Sequence, residues 1–155
     1  MSKKIILVII LFNFVTHCGF TPLYSNLKNV NFSIVSIDFQ GDRLTNNFLK
    51  NELVKYQNEK YEKKFKIKVE TSYEKIDILK DKTANISKYE LSVDAVIQII
   101  SNEKIIKELK IKEKKIIDNI DDDFEEQKNE RVAKQNFASS ISNKLLTELS
   151  ILNDN

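Results

Sequence analysis

The chain has 155 residues, 25 basic and 23 acidic side chains, one cysteine and one histidine, enough for one domain with a real core. Apart from Lys3 and Lys4, at the N-terminus, the two signs balance at 23 each, which argues against nucleic acid as a partner because such binders show a net basic face. Beyond His17 and Cys18 there is no histidine and no thiol, so Ser-His-Asp and Cys-His catalysis and the usual zinc ligand sets are excluded there.

In chain order, Lys3 and Lys4 precede a run of apolar residues from Ile5 to Phe12, then Asn13-Phe14-Val15. A basic start before a short apolar run reads as a secretory signal. The run is too short for a spanning helix, which needs about 20 apolar residues. It lacks the small residues of an ordinary cleavage site and stops at Val15-Thr16-His17-Cys18. That ending resembles a bacterial lipoprotein signal, in which the cysteine thiol takes a diacylglycerol and the chain is cut just before it. Val15 and Thr16 fit that pattern; His17 stands where Gly, Ala or Ser is usual. The expected organisation is a signal at 1–17, a lipidated Cys18 that opens a linker at 18–29, a domain at 30–152 and a polar tail at 153–155. Two or three acyl chains hold a protein stably where one does not. Gly19 replaces the Asp that retains such proteins at the inner membrane, which points to the outer membrane. An uncleaved inner-membrane anchor is the competing reading. In the linker, Pro22 blocks a helix, and Phe20, Leu23 and Tyr24 are apolar enough to pack.

Residues 30–39 are rich in β-branched and aromatic side chains and predict a first strand. The parity slip between Ile34 and Val35 predicts a bulge or burial of both faces. Asp42 is placed to cap a helix from Arg43. Leu44, Phe48, Leu49, Leu53 and Tyr56 recur at helical spacing, so the helix is drawn to about residue 60, and core packing accounts for its stripe. Phe65, Ile67, Val69, Thr71 and Tyr73 alternate with Lys64, Lys66, Lys68, Glu70 and Ser72, a half-buried strand with a solvated lysine row. Residues 76–87 read as a loop with its tip at 81–85. Alternation resumes over 89–99. A turn at Ser101-Asn102-Glu103 then leads to a fourth strand at 105–116, as an antiparallel hairpin; the frequent Glu and Lys make a helix the competing reading there. The acidic segment 118–123 lacks the glycine of a calcium loop and reads as a polar loop with capping residues. A second helix follows over 124–149, with Ala133, Phe137, Ile141, Leu145 and Leu149 on one stripe. The fold expected is α+β, a two-layer sandwich of βαβββα order. Its four-stranded sheet is mainly antiparallel, with both helices on one face and the other face polar.

Cys18-Gly19-Phe20, extended by Leu23-Tyr24, resembles the mature start of the LptE family of lipopolysaccharide-assembly lipoproteins. Residues 44–53 as first helix, 89–99 as a central strand and Lys128-Asn129-Glu130 as the basic-acidic start of the last helix are similar to the same family. The resemblance implies a non-enzymatic outer-membrane lipoprotein, periplasm-facing and without cofactor. Such a protein plugs and helps assemble the LptD β-barrel and assists lipopolysaccharide insertion into the outer leaflet. It also implies lipopolysaccharide contact through basic residues at one end of the domain, here Lys82, Lys88 and Lys128. The alternatives are another periplasm-facing lipoprotein acting as a chaperone or assembly accessory, and a hydrolase of unknown type.

Overall fold

The computed structural model describes residues 31–80, 82 and 86–154; the expected signal, Cys18 and the whole linker lie outside them. The elements run β1 (Ser33–Gly41), α1 (Arg43–Leu53), a short 3₁₀ turn (Val54–Tyr56), β2 (Lys64–Lys80), β3 (Ile86–Ser101), β4 (Lys104–Asp118) and α2 (Asp123–Asp154). The βαβββα order read from the sequence is the order observed. The sheet is arranged β1-β2-β3-β4, with β1 parallel to β2 and the other two pairs antiparallel. The parallel pair follows from the intervening helix, which returns the chain to the same end of the sheet.

The odd-numbered side chains of β2 and β3 make the inner face. Phe65, Ile67, Val69, Leu91, Val93, Ala95, Ile97 and Ile99 are all buried. Leu49 and Leu53 of α1 pack there with Ala133, Phe137, Ile141, Leu145 and Leu149 of α2. The last five are the stripe read from the sequence. The even-numbered side chains point to an uncovered face. Across it, Lys112 meets Asp94 at 2.6 Å and Lys114 meets Glu90 at 2.6 Å. Exposed pairs of this kind add little stability, but they keep the open face polar and balanced.

Three local features show how the sequence sets the corners. Asp42 caps α1 as expected, its carboxylate accepting from the Thr45 N–H at 2.8 Å. The slip in β1 is a real register shift between Ile34 and Ser36. At the β3–β4 turn, Asn102 and Glu103 both take positive φ, 49° and 65°, the conformation a two-residue hairpin turn requires.

The boundaries differ in several places, and β1 spans Ser33–Gly41 rather than 30–39. The first helix ends at Leu53 rather than near 60. Gln57 bridges back to Ile34, and Asn58 bonds to Ser33 Oγ at 2.8 Å and to the Tyr56 carbonyl at 3.1 Å, so the chain is drawn onto the β1 edge. Strand β4 starts at Lys104 and runs to Asp118, two residues past 116. Helix α2 runs to Asp154, and Leu152 packs against the core while Ile151 is exposed. The largest difference is at 76–87. Residues through Lys80 and from Ile86 are strand, and the sheet extends well beyond β1, whose last partner on β2 is Thr71.

Candidate functional site at the distal end of the sheet

The three-stranded extension of β2, β3 and β4 forms one end of the domain. Inner-face burial on β2 is lost after Tyr73, and residues from Glu74 to Lys80 are exposed. The strands hold here by backbone pairing rather than by a core. Ile76 pairs with Glu90, which pairs with Ile116; Leu79 pairs with Lys88, which pairs with Asp118. Asn119 closes the end, its N–H donating to the Ser87 carbonyl at 2.9 Å and its side-chain amide to the Ile86 carbonyl at 2.8 Å. Asp122 then starts α2 by accepting from the Phe124 N–H at 2.9 Å.

Exposed apolar side chains collect at this end: Ile76, Ile78, Leu79, Ile116, Ile120 and Phe124, the last 72% exposed. Six large apolar groups gather at this end, which makes it a candidate contact surface. Lysines lie among them. Lys82 sits exposed in the turn between β2 and β3. Lys88 follows on β3, its ammonium 2.9 Å from Asp118. Lys128 is on the second turn of α2, 3.1 Å from Glu125. It lines a depression of about 450 Å³ with Leu44, Phe124, Gln127, Glu130 and Arg131. The structure thus brings Lys82 and Lys88 together on one hairpin. Lys128 is at the same end, but the acidic turn at Asp121-Asp122-Asp123 lies between it and the hairpin in sequence. Sequence reasoning passed over Lys80 and Lys115, which have no ion-pair partner among the described residues. The signal for them was present: apolar Ile76, Ile78, Leu79, Ile116 and Ile117 sit close to lysines at both strand ends.

Beneath the tip lies a charged cluster around one buried lysine. Lys134 is 6% exposed. Its ammonium is 3.2 Å from Asp42, 3.9 Å from Glu130 and 3.5 Å from the centre of the Tyr73 ring. Lys75 pairs with Glu126 and, at 3.7 Å, with Glu130. It also lies 4.2 Å over the Tyr89 ring. Burial, reinforced by the nearby Glu130 carboxylate, pushes the Tyr73 hydroxyl well above its usual range, and among the described residues that hydroxyl has no partner within hydrogen-bond geometry. Burial opposes the charge on Lys75, but the Glu126 carboxylate outweighs it and the pKa rises. These groups tie the first half of α2, which buries nothing before Ala133, to β2. Among the described residues no cluster of three or more His, Cys, Asp or Glu could hold a metal, and no helix is long and apolar enough to cross a membrane.

No family model matches the chain, and no curated protein matches its sequence. Solved structures do match in fold. The crystal structure of rare lipoprotein B from Shewanella oneidensis superposes with a TM-score of 0.57 at 13% identity, over 76% of this chain and 98% of that one. A minor lipoprotein from Acinetobacter baumannii gives 0.52 at 13%, over 74% and 94%. The solution structure of lipoprotein B from Nitrosomonas europaea gives 0.56 at 12%, over 79% and 90%. At such identities the likeness establishes a shared fold: the two-layer βαβββα sandwich of this chain is also the fold of several bacterial lipoproteins.

Proposed function

We propose that this chain is a non-enzymatic outer-membrane lipoprotein, anchored through Cys18 and facing the periplasm. It seats in an LptD-like β-barrel and contacts lipopolysaccharide on its way to the outer leaflet. The observation that carries the reading is the distal end, where exposed apolar groups and lysines are interleaved. An acylated glycolipid with anionic phosphates offers the complementary pair of surfaces: its chains meet Ile76, Ile78, Leu79 and Ile116, and its phosphates meet point charges such as Lys82. The uncovered sheet face supports the barrel partner. Its balanced rows of Lys, Asp, Glu and Ser suit the polar interior of a barrel. The fold shared with bacterial lipoproteins and the lipoprotein-like ending at Cys18 agree with this reading.

The test is a charge reversal at all three sequence-derived lysines, Lys82→Glu with Lys88→Glu and Lys128→Glu. Lys82 and Lys128 are exposed and Lys88 is half-buried outside the core; because Lys88→Glu faces Asp118, circular dichroism is compared with the parent chain before binding is read. Loss of three favourable charges and gain of three repulsive ones should weaken lipopolysaccharide binding roughly tenfold or more, and the loss should shrink as salt is raised. Unchanged affinity in an equilibrium binding assay would remove these lysines from the site.

A further inference from the structure

The opposite end of the domain carries a second surface. There the described chain begins, at Asn31, which shares a depression of about 600 Å³ with Lys63, Lys64, Ser101 and Asn102 of the β2 start and the β3–β4 turn. Just past that turn, a register irregularity at Ile99/Ile100 leaves Ile106 out of the cross-strand pairing. Ile105 and Ile106 are consecutive and 57% and 43% exposed. In a regular strand one of two neighbours would face the core; here both meet solvent. Lys104 and Lys107 flank them. Val54 and Ile151, at the C-terminal ends of the two helices, are also exposed at this end.

We propose that this proximal end projects from the periplasmic mouth of the barrel and is a membrane-contact surface, seated in the headgroup region of the leaflet that holds the lipidated Cys18. The inference rests on the lipid-anchor reading above. The length of the tether excludes one of the two upright placements. Residues 18–30 make thirteen links to Asn31, which span at most about 45 Å. Strand β2, with 17 residues, is about 55 Å long. A domain standing on its distal tip would lift Asn31 beyond the tether's reach, whereas a domain standing on its proximal end keeps it beside the surface. Ile105 and Ile106 then enter the interface as apolar anchors. The lysine stems lie along them with their ammonium groups among the headgroups. The result is a domain held upright, with its distal tip directed away from the anchored leaflet.

The test uses the processed, lipidated chain, whose intact mass is measured first. Lys104→Cys at the proximal end and Lys82→Cys at the distal end are each labelled with a polarity-sensitive fluorophore. The labelled chains are placed in phosphatidylcholine–phosphatidylglycerol vesicles containing a headgroup-depth quencher lipid. The expected result is several-fold stronger quenching at 104 than at 82, lost when Ile105→Asn and Ile106→Asn are added, with lipidation and circular dichroism unchanged. Equal quenching at both ends, or none at 104 on a lipidated chain, overturns the contact and leaves the lipoprotein reading standing. Quenching protection at 104 that appears only when a co-purifying protein is added also overturns it, because a protein then covers that end. An intact mass without lipid removes the tether and the inference together.

Discussion

Gly41→Val is expected to cost most of the stability of the domain. Gly41 sits at φ +94°, in a region that side chains rarely enter, and a Cβ there would lie 1.7 Å from the Thr71 carbonyl oxygen. That oxygen cannot move aside. It accepts from the Asp42 N–H at 3.0 Å, and the Thr71 hydroxyl donates to Asn46 at 2.9 Å. Asn46 in turn donates to the Gln40 carbonyl at 2.9 Å. The last residue of β1, the cap of α1 and the middle of β2 therefore meet at one backbone contact. Strain at an αL-like position adds about 1–3 kcal/mol and forced overpacking a further 1–3 kcal/mol, against a total stability of roughly 5–15 kcal/mol for a domain. Urea unfolding should show a midpoint shifted down by a large fraction of its value. A midpoint within error of the parent chain would mean that β1 does not close against Thr71 in this way.

The second large effect is expected at Lys134. Lys134→Ala should destabilise by about 3 kcal/mol, the range for breaking a buried ion pair from one side, because it leaves Asp42 and Glu130 facing a void beside Tyr73. Lys134→Met breaks the same pair but keeps the volume and the contact with the Tyr73 ring, so it should be milder than Ala by the packing of the stem. The ordering, with Met well above Ala in unfolding midpoint, separates the charge from the packing of the stem. The pH dependence carries the same information. Burial raises the Asp42 pKa, but the Thr45 hydrogen bonds and the Lys134 charge outweigh it, and the pKa falls below the ordinary 3.8. A carboxylate whose folded pKa is depressed contributes stability above its unfolded pKa. That contribution is lost as pH falls through the folded value. In Lys134→Met the contribution should shrink, so the acid limb of the stability curve should become shallower below about pH 4. An unchanged acid limb would remove the pair from the account.

Much of this architecture was legible because burial and periodicity coincide. Phe65 to Tyr73 alternate strictly because one face of β2 meets the helices and the other meets water. The α2 stripe from Ala133 to Leu149 recurs because a single face of that helix packs on the sheet. Asp42 was legible because capping is local chemistry: one side chain and an N–H three residues on. The distal extension was not legible for the same reason in reverse. At Ile76, Asp77, Ile78 and Leu79 no helix covers the inner face, so burial imposes no alternation, and strand character comes from pairing with residues 86–90, which is non-local. The end of α1 was misread because Tyr56 continues the helical spacing, while the signal that stops the helix is the reach of Asn58 to Ser33, 25 positions away. Of the candidate site, the lysines could be named from the resemblance. Their apolar neighbours could be assembled only once the strands were known to project together. The Lys134 cluster was hidden because a lysine in a helix reads as solvated until its neighbours from β2 and the α1 cap are in place.

The most direct test of the central claim is a pull-down of this chain from detergent-solubilised outer membranes, joined to an intact-mass measurement of its N-terminus. The account predicts a mature chain beginning at Cys18 with attached acyl groups, co-purifying with a large β-barrel protein. An N-terminus at Met1 or Ser2, recovered without any barrel, would contradict it.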